Sequence, residues 1–220
     1  MTTPLTLLST KLLLPSQRES LSAYAVEEMP LIQVSFHENI AITEKIECAV
    51  FTSQNAVKSV FKKNKLPTTV LNTVYCVGER TRGLLESFGV RVEKICYSAL
   101  ELANFLIEKK GISKVYFFCG NLRRDELPDV LAAHNIAVKE IEVYQTELLP
   151  VVIETTFDGV LFFSPSAVKS YIAAGNSNES TVFCIGNTTA AEAIMAFEKV
   201  YVADTPSVES LITLVKENLN

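Results

Sequence analysis

No apolar stretch in the 220 residues approaches the roughly 18–20 needed to cross a bilayer; the apolar runs are short and broken by charges. No membrane helix is expected. Met1, Thr2, Thr3 and Pro4 carry no basic charge, and Leu5 to Leu14 is interrupted by Ser9, Thr10 and Lys11. A secretory signal is therefore not expected, and the chain reads as cytoplasmic. The five cysteines (Cys48, Cys76, Cys96, Cys119, Cys184) include no Cys-x-x-Cys pair. Most fall in strand-like runs, so reduced thiols in the core are expected. His37 and His134 are the two histidines, and neither sits at a metal-ligand spacing. No metal is expected. Basic residues are outnumbered 25 to 20, a net charge of −5, and a general nucleic-acid binder would display the opposite field.

Two phosphate-binding loops are also missing, Gly-x-Gly-x-x-Gly and Gly-x-x-x-x-Gly-Lys-Ser/Thr, which disfavours nucleotide cofactors. Neither Ser53 nor Ser164 lies in a Gly-x-Ser-x-Gly elbow, so nucleophilic catalysis has little support.

What is present is globular composition, 48% hydrophobic and 20% charged, enough for a packed interior. Strand-like runs alternate with amphipathic segments along most of the chain. The strands are read at Leu5–Ser9, Leu31–Phe36, Cys48–Phe51, Thr73–Val77, Val90–Glu93, Val115–Phe118, Val138–Val143, Gly159–Phe163, Val182–Ile185 and Val200–Val202. Helices are read near 16–25, 55–63, 80–87, 99–109, 123–133, 166–173, 188–196 and 207–218. Such alternation specifies α/β architecture with parallel sheets covered by helices.

Phe51-Thr-Ser-Gln-Asn-Ala-Val-Lys-Ser59 lines up with Phe162-Phe-Ser-Pro-Ser-Ala-Val-Lys-Ser170. A second block, Val74-Tyr-Cys-Val-Gly-Glu-Arg-Thr81, matches Val182-Phe-Cys-Ile-Gly-Asn-Thr-Thr189 in the same order. Two blocks in register predict internal duplication and two Rossmann-like or flavodoxin-like lobes. The first copy continues through a further strand–helix–strand unit, Val115 to Tyr144, and the second does not. The N-terminal segment, including Leu5–Ser9 and Leu31–Phe36, is therefore expected to complete the C-terminal lobe. That divides the chain into 1–36 with 147–220 and 37–146, crossing near 37–46 and 145–156.

Ligands of open parallel sheets bind beyond the carboxyl ends of the strands, where helix N-termini offer free N–H groups. Ser53, Ser164, Gly78 with Thr81, Gly186 with Thr188 and Thr189, and Gly120 with Asn121 all follow strands. Each serine or threonine taken alone reads most simply as a helix cap. Together with paired glycines, they predict anion sites facing a cleft between lobes. Lys11, Arg80, Arg82, Arg123 and Arg124 lie after strands or in first helical turns, where they could meet carboxylates.

These residues carry a resemblance to the uroporphyrinogen-III synthase family. It rests on Phe51-Thr-Ser, Val77-Gly78 with Thr81, Phe117 to Pro128, Val143-Tyr-Gln-Thr146, Phe162-Phe-Ser-Pro-Ser166 and Ile185-Gly-Asn-Thr-Thr-Ala190. The resemblance implies two α/β lobes joined by a two-stranded connector. It implies closure of hydroxymethylbilane, a linear tetrapyrrole with eight carboxylates, to uroporphyrinogen III, with loss of water, inversion of ring D and no cofactor. The family is thought to pass through a spiro intermediate, gripping acetate and propionate groups with backbone amides and polar side chains.

By the same resemblance, Tyr144 is assigned to the leaving hydroxyl, as its positioner or proton donor. Ser53, Gly78, Thr81, Gly120, Asn121, Ser164, Gly186, Thr188, Thr189 and Lys11 are assigned to substrate binding. The segment between Lys11 and Leu31 departs from the family pattern, being short and lacking the glycine that usually ends the first helix. A monomer is expected. Two other readings remain: a non-catalytic two-lobed sensor for an anionic metabolite, and an enzyme acting on a phosphorylated sugar, which would need an acid–base pair that the sequence does not display.

Overall fold

In the computed structural model, the described residues are 4–40, 42 and 44–219. The chain forms two compact units, residues 1–33 with 147–220, and residues 34–146.

The second unit holds a six-stranded sheet. Its strands are β3 (Ile32–Phe36), β4 (Ile46–Phe51), β5 (Leu71–Val77), β6 (Val92–Cys96), β7 (Lys114–Gly120) and β8 (Ala137–Leu148), in the order β3-β8-β7-β4-β5-β6. β4 and β7 are apolar on both faces because helices cover both sides. One side packs Phe51, Phe118, Val57 and Leu85 under α2 (Gln54–Val57) and α3 (Glu79–Ser87). Phe51 and Phe118 stack with centroids 4.6 Å apart. The other side packs Tyr75, Phe117, Leu102 and Leu131 under α4 (Ala99–Glu108) and α5 (Glu126–Ala133).

The first unit is a five-stranded sheet of β1 (Thr6–Ser9), β2 (Ala25–Glu28), β9 (Gly159–Phe162), β10 (Thr181–Cys184) and β11 (Val200–Val202), ordered β11-β10-β9-β1-β2 and parallel throughout. Its helices are α1 (Pro15–Glu19), α6 (Pro165–Ala173), α7 (Asn187–Ala193) and α8 (Val208–Asn218). Leu7 and Leu8 of β1 point into opposite cores of this sheet, each fully buried.

The segment completing this sheet differs from the sequence expectation. The strand beside β1 is β2, whereas Leu31–Phe36 contributes β3 to the other sheet. Leu149 N donates to Leu31 O and His37 N to Val143 O, at 2.9 and 3.0 Å, so β3 runs antiparallel to β8. The chain thus passes between units within β3 and β8 themselves. Two helices also differ. The expected helix over 16–25 ends at Glu19, because the chain must turn into β2 at Ala25. The helix over 55–63 widens into a π-helix from Lys58 to Lys63. Asn64 closes that wider turn: its backbone N–H and its Nδ2 both donate to Ser59 O.

All five cysteines are unpaired and buried. Among the described residues, no helix is long and apolar enough to cross a membrane.

Candidate functional site

Strand order locates the candidate sites. In the six-stranded sheet the chain leaves β4 toward β5 and β6, then returns to β7 and β8 on the other side of β4. The connections that leave the carboxyl ends of β4 and β7 therefore run to opposite sides, the topological switch point at which open α/β sheets hold ligands. Ser53 follows β4 and Gly120 ends β7; in register, Phe51 lies opposite Phe118. In the five-stranded sheet the equivalent divergence lies between β1 and β9, followed by Lys11 and Ser164.

At the first of these points Ser53 has extended backbone and caps α2, its Oγ accepting from Asn55 N at 3.1 Å. Tyr144 Oη donates to the same Oγ at 3.2 Å. Ser53 thus accepts two hydrogen bonds and keeps its own proton to donate. Tyr144 reaches it across Gly120, where a Cβ would stand 2.5 Å from the ring's Cε2 and 2.9 Å from Cε1. Gly120 is therefore glycine because the tyrosine ring occupies its side-chain space. Burial pushes the Tyr144 phenol above its ordinary range, only partly offset by the hydrogen bond with Ser53. At neutral pH it holds its proton.

A shift in strand register aims Tyr144. Cys119 pairs with Glu142 but Gly120 pairs with Tyr144, so Val143 is the extra residue of a bulge. The Val143 carbonyl accepts from His37 N and from the fully buried Ser59 hydroxyl. Ser59 and its hydrogen bond were not anticipated, because its partner lies 84 residues away.

Asn121 behaves differently from a free ligand donor. Its Nδ2 donates to Thr146 O at 3.1 Å and its Oδ1 accepts from Thr146 N at 2.7 Å, extending the β7–β8 pairing by one rung. Arg123 is likewise engaged, paired with Asp125 and with Glu140 at 2.5 Å.

One strand over, Gly78 precedes α3 with φ +84°, a left-handed conformation that favours glycine. Thr81, in the first turn, is buried. Arg82 pairs with Glu79 at 2.7 Å, whereas the exposed Arg80 forms no ion pair among the described residues.

In the other unit, Ser164 caps α6, its Oγ accepting from Ala167 N at 3.2 Å and lying 3.0 Å from Ser166 Oγ. The Lys11 ammonium sits 5.1 Å from the centre of the Phe163 ring. Gly186 precedes α7 with extended backbone, φ 179°, which any residue adopts. The two matching glycines therefore differ: backbone conformation requires the first but not the second. Thr189 is buried and Thr188 exposed on the first turn of α7.

The family model for uroporphyrinogen-III synthase HemD matches residues 18–213. A uroporphyrinogen-III synthetase from Helicobacter pylori superposes with a TM-score of 0.69 at 20% identity, over 97% of this chain and 99% of that one. A mutant uroporphyrinogen III synthase from Thermus thermophilus superposes with a TM-score of 0.75 at 12% identity, over 97% and 98%.

Proposed function

Since the chain belongs to the uroporphyrinogen-III synthase family, which closes hydroxymethylbilane to uroporphyrinogen III in haem biosynthesis, we propose a division of labour among its residues. The observation that carries it is the Tyr144–Ser53 hydrogen bond at the point where the connections after β4 and β7 part. Ser53 donates its proton to the terminal hydroxyl of the substrate and takes a proton from Tyr144 in return. The C–O bond breaks with its electron pair on oxygen, water departs, and the carbon is left as an azafulvene-like cation. A phenol is a weak acid, so the gain comes from a donor already aligned with the leaving oxygen. A pyrrole α-carbon at the far end of the chain then forms the new C–C bond to that cation, and the proton released as its ring regains aromaticity restores the Tyr144 phenol, so the enzyme is a lyase that eliminates water and closes a ring.

Eight carboxylates are to be gripped without a cofactor. Lys11, Arg80, the hydroxyls of Ser164, Thr188 and Thr189, and the N-termini of α3 and α6 supply cationic and hydrogen-bonding partners. Gly78 lets the backbone come close to a carboxylate. Gly120 and Asn121 act at one remove: Gly120 makes room for Tyr144 and Asn121 fixes the chain beside it. Thr81 and Gly186 complete the helix entries. The enzyme works as a monomer in the cytoplasm. A non-catalytic sensor is disfavoured by the family assignment.

The test is incubation with freshly generated hydroxymethylbilane, followed by oxidation and chromatographic separation of type I and type III uroporphyrins. Enzyme-dependent type III product is expected, and the Tyr144→Phe protein should form it more slowly. A Tyr144→Phe rate equal to that of the parent removes the relay.

A further inference from the structure

We propose that the second unit carries a separate binding site for a small polyvalent anion at the amino ends of its strands, opposite the end that holds Ser53 and Tyr144. A cavity of 370 Å³ opens there, lined by Lys45, Lys109, Lys110 and Lys114 against a single carboxylate, Glu47. That concentration of positive charge lies in a protein of net charge −5. The seven residues of β7 span about 20 Å, so a substrate held beyond Gly120 does not reach Lys114.

Helix polarity accounts for part of this cluster: Lys109 and Lys110 follow the last turn of α4, where cations complement the carbonyl end. It does not account for Lys45 and Lys114, which come from the starts of β4 and β7. Nor are the lysines neutralised as a group. Lys109 lies 3.5 Å from Glu93, and Glu44, 2.7 Å from the neighbouring Lys139, also interacts with the Tyr116 hydroxyl and with Lys114. Lys45 and Lys110 form no ion pair among the described residues. Glu47 is engaged by Asn72 Nδ2 at 2.6 Å.

The floor is built rather than bare. Tyr75 and Tyr116 are 1% and 5% exposed, and both line the cavity. Lys114 Nζ donates to Tyr116 Oη at 2.8 Å, and the Lys109 ammonium sits 5.2 Å from the centre of the Tyr75 ring. These contacts hold two ammonium groups over rigid aromatic surfaces instead of leaving them to wander in solvent. The volume is near the low end of the roughly 300–1,000 Å³ range of small-molecule sites. It suits a phosphorylated or polycarboxylic metabolite and is too small for a linear tetrapyrrole.

Titration calorimetry at constant ionic strength tests this, with inorganic pyrophosphate in one arm and citrate in the other, each against matched sodium chloride. Amide resonances of the labelled protein report the location. Pyrophosphate, citrate or both should bind and move the Gly111 and Ser113 amides, and the arm that binds identifies phosphate or carboxylate chemistry. In the Lys45→Gln/Lys110→Gln protein the binding should weaken at least about tenfold. Both lysines are exposed, so type III product formation and thermal midpoint without added anion should stay as in the parent. Binding no stronger than chloride, equal affinity in the variant, or shifts confined to residues following the strand carboxyl ends would each overturn the proposal.

Discussion

Tyr144 combines a raised phenol pKa with a hydrogen bond to a serine that has a proton left to give. Because burial raises that pKa above its ordinary 10, the protonated donor persists throughout the neutral range. An alkaline fall in the rate of ring closure below pH 9 would show that another group controls it. Ser53→Ala should lower kcat as Tyr144→Phe does, and the double variant should be little worse than either alone, because the two act in series. Gly120→Ala tests the packing. A methyl group would collide with the Tyr144 ring, so a loss of about 1–3 kcal/mol in urea unfolding is expected, with slower turnover. The thiols give a contrasting expectation. Desolvation pushes Cys48 and Cys119 to about 11 and Cys76 and Cys184 to about 12. Alkylation at pH 8 should therefore be slow in the folded protein and fast in denaturant.

At the scale of elements, Ser59 and Ser170 occupy matching places in the two repeated blocks, yet the structure treats them differently. Ser59 donates to the Val143 carbonyl at the bulge that presents Tyr144, whereas buried Ser170 Oγ has no hydrogen-bond partner among the described residues. Ser59→Ala should lower both stability and turnover. Ser170→Ala should raise stability by about 1 kcal/mol, because it removes an unsatisfied buried hydroxyl. Asp158 joins β1 to the turn before β9 by accepting from Thr6 N at 2.7 Å and Thr6 Oγ1 at 2.8 Å. These bonds hold its carboxyl below the ordinary 3.8. Its contribution is therefore complete above the unfolded pKa and disappears as pH falls through the lower folded value. Since the group is exposed, the contribution is small, below about 1 kcal/mol. Asp158→Asn should lower the thermal midpoint slightly at pH 7 and flatten its decline below pH 4. The sequence made elements legible where burial is one-sided or complete. The apolar runs of β4, β7 and β9 announce central parallel strands, and small residues after them announce the ligand-binding ends. β2 escaped because Ala25-Val-Glu-Glu is a half-exposed edge strand with two acidic residues. The Asn121–Thr146 clamp and the Ser59–Val143 bond escaped because nothing local signals a partner 25 or 84 residues away.

For the whole molecule, each unit has its own pair of apolar cores, one on either face of its sheet. Residues 34–146 are continuous in sequence and should fold when expressed alone, with helical and strand signals in circular dichroism and a cooperative melt. Residues 147–220 alone should not, because both β1 and β2 are missing from the sheet beside β9. Adding a peptide of residues 4–33 should restore cooperative melting. A cooperative melt of 147–220 by itself would show that β1 and β2 are dispensable. The same interleaving sets a timetable during synthesis. Thr6 and its partner Asp158 are separated by 152 residues, and at about 5–20 residues per second the ribosome needs on the order of ten to thirty seconds to bridge that gap. Throughout that interval the newborn β1 waits with Leu7 and Leu8 uncovered, while the middle unit can already close on itself, and so depends on chaperones or on speed.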